Sequence, residues 1–542
     1  MNAKVFTLAG SHRSEPPNAE LGRTHGNTKV TVALSVPTKE DRLAAFFVSR
    51  HLQIANGNYV APLSARAFAR RFGANQRTMR EVANRLRACG IEVVSMTPHS
   101  GEIVIRARVA LLRKVAMFEL NDYSDEKGAK FHARVGEIAI TDTRLIDLGV
   151  TSFRGLDARQ VAHSHMQINH AHDGNASRSE SWTVTDLVTR FNIPLQLLAT
   201  AAKKRVVIGI LELGGGYRKS DNVTAAKRQG VDLPEIADLS VDGATNSPST
   251  PEGADGEVAL DLQTCFSIGK YGKIVVSQGR NNSALAFPHS IRALVDAGAD
   301  VISISWGAAM LANWTAQDVQ AMEVELARAD ALGVVIVVAS GDTGSTDGRE
   351  DGVNDVDYPS ASAHCTGAGG LFVGHDGTLR VWNDNPTESA TGGGVSTMPV
   401  PLFQGMLQKL GLLPTNVDTG KPGRCVPDVS ATADPNSGVT ILVDGQWMVI
   451  GGTSFAAPFI ALGLAVIIAL IGKRLTGFNT YLYQYGVEDG FIIDILPPGD
   501  NGAYPVLNGY DCTTGLGAID FGKLLMSLQK RGIAQTEFDL AA

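Results

Sequence analysis

Four short runs of nearly uninterrupted apolar residues set the strongest limit on what this chain can become: KKRVVIGILEL, KIVVSQGR, ADVISISW and GVVIVVASG. Strands of this kind have no polar face, so both of their faces must be covered. Helical stretches lie between most of them, and that alternation gives a doubly wound parallel sheet in an α/β domain. Reactive side chains in such sheets gather at the carboxyl ends of the strands. At 542 residues the chain is too long for one core, so further units are expected.

Ahead of these runs, residues 1–28 are polar, with Pro16-Pro17, and are expected to form a flexible tail. Residues 29–156 read as a compact α+β unit. KVTVALSV alternates like a strand, and a helix follows near 39–53. Ser64 and Asn75 stand as N-caps of two further helices, stopped by Gly73 and Gly90. IEVVSMTP and EIVIRARV supply two more strands, and the unit holds no nucleophile or ligand cluster. Residues 157–180 carry four histidines, at 163, 165, 170 and 172, followed by Gly, Asn and Ser. We read this stretch as a flexible linker open to proteolysis, in preference to a metal site. Residues 181–542 form the α/β domain.

Phe455–Gly472 is apolar enough to imitate a membrane span, but it contains Pro458 and reads as a buried core helix. No membrane role is expected. A net charge of −7 argues against a nucleic-acid surface. Five scattered cysteines without a CxxC pair exclude zinc ribbons and disulfide frameworks. The first residues do not form a standard secretory signal.

The chemistry begins at Gly451-Gly452-Thr453-Ser454-Phe455-Ala456-Ala457-Pro458. A serine at the start of a long apolar helix lies near free N–H groups and the positive end of the helix dipole, which suits a nucleophile whose transition state gains negative charge. G-T-S-x-x-x-P resembles the nucleophile motif of subtilisin-like serine peptidases. The histidine such an enzyme needs is absent: the α/β domain offers only His289, His364 and His375, none in that family's context. Gly256-Glu257-Val258-Ala259-Leu260-Asp261 occupies the corresponding place, with Glu257 and Asp261 on one helical face. A third acid, Asp342, ends the buried run GVVIVVASGD.

Together Glu257, Asp261, Asp342 and Ser454 resemble the sedolisin family, the serine-carboxyl peptidases, and most of all its kumamolisin-type members. ILELGGGY, SVDGATN, GEVALD, ISISWG, GDTGSTDG, TGGG…STMP, VPDVSATADP and GGTS stand in that family's order. The resemblance implies a subtilisin-like catalytic domain preceded by a ferredoxin-like inhibitory prodomain, in a self-processing, acid-acting endopeptidase zymogen. It implies Ser454 as nucleophile, Glu257 as general base, Asp261 as its orienter and Asp342 as oxyanion donor. Glu212, Ser305, Trp306 and Gly307 would line the site or extend its hydrogen bonds. Asp357 matches a position in the substrate cleft and would favour basic residues. FIIDILPPGDNGAYPVLNGYDCTTGLG resembles the family's calcium loop, with Asp494 and Asp511 giving carboxylates and Ile495, Leu507 and Gly509 giving carbonyls to one Ca2+. Leu507 and Tyr510 depart from the usual Gly and Trp. The resemblance further implies an extracellular monomer acting on proteins or peptides, its own prodomain serving as inhibitor. Acid is expected to weaken carboxylate contacts between the domains, and the linker around 170–182 to be cut. The alternative is a catalytically silent, calcium-dependent peptide-binding relative.

Overall fold

A computed structural model describes residues 5–169 and 181–534. The four apolar runs become parallel neighbours in an eight-stranded sheet. Its order is Glu235–Ser240, Gly272–Gly279, Val206–Leu213, Val301–Ile304, Val335–Ala339 and Thr366–Val373, with Leu379–Val381 antiparallel at the end and Val429–Thr432 parallel beside Thr366–Val373. The first of these strands in sequence lies in the interior, so successive crossovers run outward to either side. Both faces are covered. Helices Ala254–Cys265 and Thr453–Ile471 pack on one, and Ala286–Asp296 and Ala316–Ala331 on the other.

Helix Thr453–Ile471 is long and apolar enough to cross a membrane, yet the whole of it is buried between the sheet and helix Ala254–Cys265. Pro458 lies one turn in from its start. Proline cannot donate to the carbonyl four residues earlier. That carbonyl belongs to Ser454, and it faces Ser305 Oγ at 3.3 Å.

The front unit is built as its caps suggest. Ser64 accepts Ala67 N–H, and Asn75 accepts the N–H groups of Arg77 and Thr78. Its sheet runs Glu92–Thr97, Glu102–Arg108, Lys29–Ser35, Ser152–Arg154, all antiparallel, which is the split β-α-β order. The expected tail at 1–28 does not hold where it is described. Phe6–Thr7 and Ala19–Arg23 join the hairpin Ala116–Ser124 and Lys130–Ile140 in a second antiparallel sheet. Leu8 is buried against that unit's core, which anchors the segment despite its polar composition.

The two units meet over an ion-pair network. Glu102 of the front unit pairs with Arg292 at 2.8 Å and His289 at 3.1 Å of the α/β domain, and with its own Arg154 at 2.9 Å. His99 reaches Glu325 at 3.0 Å. Phe68 and Phe72 join the apolar cluster beneath Trp306 and Phe287.

Candidate active site

The carboxyl ends of the parallel strands and the start of helix Thr453–Ile471 converge on Ser454, which is fully buried. Ser454 Oγ donates to Glu257 Oε2 at 2.8 Å. Glu257 and Asp261 lie one turn apart on one face of helix Ala254–Cys265, which brings their buried carboxyls side by side. Ser305 Oγ donates to Asp261 Oδ1 at 2.8 Å, and Trp306 Nε1 to Glu212 Oε2 at 2.9 Å. Asp342 follows strand Val335–Ala339 and accepts Thr453 N–H at 2.7 Å. The seven other residues named here and Ser454 thus form one buried cluster with Gly307 at its edge.

Each of the four acids has one bonded oxygen and one buried oxygen without a partner: Glu212 Oε1, Glu257 Oε1, Asp261 Oδ2 and Asp342 Oδ2. Two acceptor oxygens cannot satisfy one another unless a proton lies between them. Four carboxyls buried this close together favour the protonated form of some of their number. Burial, and then repulsion from Asp261, push Glu212 and Glu257 well above the usual carboxylate range, and burial raises Asp261 likewise against the Ser305 hydrogen bond. Burial raises Asp342 to about 7, against the opposing pull of His165 and the Thr453 hydrogen bonds.

The stretch expected to be a flexible linker is ordered from 157 to 169 and runs through this cleft. His163–Ser164 pairs antiparallel with Trp306–Ala309, setting Ser164 opposite Trp306 and His163 opposite Gly307. Gln167–Ile168 pairs with the end of Gln446–Gly451. Between them, His165 N–H donates to Ser305 C=O at 3.1 Å, and its own C=O accepts Ser454 N–H at 2.9 Å. Gly452, at φ +95°, leaves the space that this carbonyl and Asp342 Oδ2 share. Gly256 makes room for Met166, whose Sδ would lie 2.7 Å from a Cβ there. The bond between His165 and Met166 is thus the one presented to Ser454. The segment expected to be cut, 170–182, lies almost wholly outside the described residues.

His165 Nε2 lies 2.9 Å from Asp357 Oδ2 in a fully enclosed pocket. Burial opposes its charge, but Asp357, with Asp342 and Asp347 behind it, outweighs that and holds the imidazole at about 9. Asp357 is fully buried beneath this imidazole. Sequence reasoning missed His165, Thr453, Asp347 and Gly256. His165 was visible only as one of four histidines, and nothing in the sequence says which would meet an acid.

The proposed calcium residues also come together. Asp494 Oδ2 accepts Gly509 N–H at 2.9 Å, while Asp494 Oδ1 is buried without a partner. Asp511 accepts Leu507 N–H at 3.0 Å. Leu507 is not among the non-glycine residues at positive φ, so its side chain is compatible with a carbonyl ligand. Among the described residues no cluster of three or more His, Cys, Asp or Glu could hold a metal, so a cation here would need backbone carbonyls, such as that of Ile495, beside the two carboxylates. Two carboxylates, one with an orphaned oxygen, fit a hard cation.

Comparison with known proteins agrees with this architecture. Residues 18–147 match the family described as "Pro-kumamolisin, activation domain", and residues 271–479 match "Subtilase family". Kumamolisin of Bacillus sp. (strain MN-32) is 31% identical, over 97% of this chain and 96% of that protein. The chain belongs to the sedolisin family, on its kumamolisin branch. As a sedolisin it is a serine peptidase with an N-terminal activation domain. Xanthomonalisin of Xanthomonas sp. (strain T-22) is 22% identical over 96% of this chain and 68% of its own length. Pseudomonas sedolisin, solved with two molecules of pseudo-iodotyrostatin, shares the fold at a TM-score of 0.54 and 23% identity, covering 66% of this chain and all of that one.

Proposed function

We propose that this chain is the zymogen of an acid-acting serine-carboxyl endopeptidase that cuts its own linker between His165 and Met166. The observation that carries the reading is the 2.8 Å bond from Ser454 Oγ to Glu257, with the His165 carbonyl held on Ser454 N–H.

Ser454 Oγ attacks the His165 carbonyl carbon as Glu257 Oε2 takes its proton. The dyad of Glu257 and Asp261 shares one proton through the oxygens turned away from Ser454, which leaves Oε2 basic and held in place. The charge on the carbonyl oxygen falls between Ser454 N–H and the protonated Asp342. Glu257 then gives its proton to the Met166 nitrogen, the peptide bond breaks, and an acyl-enzyme remains for water to hydrolyse. Ser305 holds Asp261 by its hydrogen bond, and Trp306 fixes Glu212 near it. Asp342 can donate only while protonated, so turnover falls as pH rises past its pKa, which gives the acid preference. Asp357 accepts a cationic side chain immediately before the cut. A calcium ion bound by Asp494, Asp511 and the carbonyls of Ile495, Leu507 and Gly509 would tie the C-terminal loop to the domain. The chain acts outside the cell.

Acid incubation of the full chain, with mass spectrometry of the fragments, tests the reading. The native chain should release a fragment beginning at Met166, and Ser454→Ala should stay intact. Cleavage of the Ser454→Ala chain at the same bond, or native cleavage confined to alkaline pH, would refute it.

A further inference from the structure

The two oxygens of Asp342 have different surroundings. Oδ1 accepts both Thr453 N–H, at 2.7 Å, and Thr453 Oγ1–H, at 2.8 Å. Oδ2 is buried without a partner, in the space beside Gly452 that it shares with the His165 carbonyl oxygen. The threonine hydroxyl has one proton and two acceptors in reach, Asp342 Oδ1 at 2.8 Å and Gly341 C=O at 3.2 Å. Gly341 N–H donates into the same hydroxyl at 3.2 Å. The shorter bond wins the proton, and a directed chain results: Gly341 N–H to Thr453 Oγ1–H to Asp342 Oδ1. An oxygen that already accepts two donors is the poorer site for a further proton.

We propose that Thr453 is a positioning residue that keeps the proton of Asp342 on Oδ2, aimed at the scissile carbonyl oxygen. The proposal rests on reading Asp342 as the oxyanion donor. It has a consequence that a merely structural role lacks. Hydrogen bonds to Oδ1 stabilise the ionised carboxylate, so Thr453 aims the proton and at the same time makes it easier to lose. The other charged groups facing Asp342 are the His165 imidazolium, which also favours ionisation, and the Asp357 carboxyl, which opposes it; Asp347 and Glu257 lie near enough to be raised by the Asp342 charge. None of these depends on the threonine hydroxyl.

Removing the hydroxyl should therefore slow turnover and yet extend it to higher pH. The test measures kcat and KM for a peptide substrate against pH, in the acid-processed native chain and in Thr453→Val, Thr453→Ser and Asp342→Asn. Thr453→Val should lower kcat by about ten- to a hundredfold with KM within about twofold. Its alkaline limb should move up by about half to one pH unit, the effect of losing one hydrogen bond to the charged form. Thr453→Ser, which restores the hydroxyl, should return both rate and limb towards native. Thr453→Ala serves in place of the valine variant if the latter does not fold. A limb that stays put or moves down in the hydroxyl-free variant, or a serine variant equal to it, overturns the proposal. Asp342→Asn separates the two levels of inference. An amide donates at every pH, so the alkaline limb should vanish; if it persists unchanged, the oxyanion assignment itself fails.

Discussion

Acid should trigger cutting before it separates the domains. The seam's charged groups make this quantitative. Burial works against Glu102, but His289, Arg292 and Arg154 hold it well below its ordinary value of 4.5. Glu325, buried and faced by Arg292, His99 and Arg328, is held at about 2. Both are depressed, so their stabilisation is full above 4.5 and is lost only as pH falls through the folded value. For Glu325 the drop from 4.5 to about 2 corresponds to about 3 kcal/mol, part of which crosses the seam through His99. His289 is raised from 6.5 to about 9 by Asp242 and Glu102 in spite of burial, so its contribution is full below 6.5 and is lost as pH rises through about 9. All three are fully engaged between 4.5 and 6.5. The expectation that acid weakens these contacts therefore applies only below about pH 4.5; through the milder range proposed for catalysis the seam keeps the charge pairing it has at neutral pH. Hydrogen exchange on the full-length Ser454→Ala chain reads this directly at 97–102 and 151–154, where Phe153 N–H donates to Gln317 across the seam. Protection, corrected for intrinsic rate, should hold from about pH 7 to about pH 4.5 and fall only towards about pH 2. Glu102→Gln, which strands buried cations, should cost about 3 kcal/mol or more and expose these amides at neutral pH. Opening of the Ser454→Ala seam with a midpoint between about pH 4 and 5 would refute the argument.

Asp357→Asn should reduce the preference for peptides with Lys or His before the cut, relative to norleucine, by about thirtyfold, the range for losing one partner of a buried charge pair; kcat/KM on matched peptides measures it, and an unchanged ratio removes Asp357 from specificity. Chelation of calcium should lower the Tm of the Ser454→Ala chain by about 4 °C or more. Asp494→Asn should show the lower Tm at the outset and little further response to chelator, whereas a native-like response would place the ion elsewhere.

The parallel sheet was legible because its strands are apolar on both faces, and the buried helix because its polar start coincides with Ser454. Caps at Ser64 and Asn75 were legible because capping is local. Spacing put Glu257 and Asp261 on one helical face, but their pairing beside Ser454 was implied only by the resemblance to the family. What could not be read is whatever depends on two distant segments meeting. Phe6–Thr7 and Ala19–Arg23 look like tail because their partners, the strands of a hairpin about a hundred residues or more further on, give no local sign. His165 and Asp357 are separated by most of the sheet, so their contact leaves no pattern in either segment. Thr453 was in view throughout, but its hydroxyl acquires meaning only when Asp342 arrives from another strand.

A peptidase whose own linker lies across its nucleophile must explain why it does not cut at once. The seam offers no answer, since it is equally firm at neutral and mildly acid pH. The latch must lie at the reacting atoms. With Asp342 ionised, a carboxylate oxygen faces the His165 carbonyl oxygen, and the charge that develops there meets repulsion in place of a donor. The cationic His165 deepens this state, because it lowers the pKa of Asp342 for as long as it occupies the pocket. The uncut linker therefore holds the enzyme inactive through the same charge that seats it. A neutral side chain at that position should let cutting proceed at higher pH. His165→Gln, tested for self-processing across the pH range, should start to cut at a pH above that of the native chain, even though it binds less firmly to Asp357. If it instead requires stronger acid, the latch is not electrostatic and the coupling between the pocket and Asp342 is wrong.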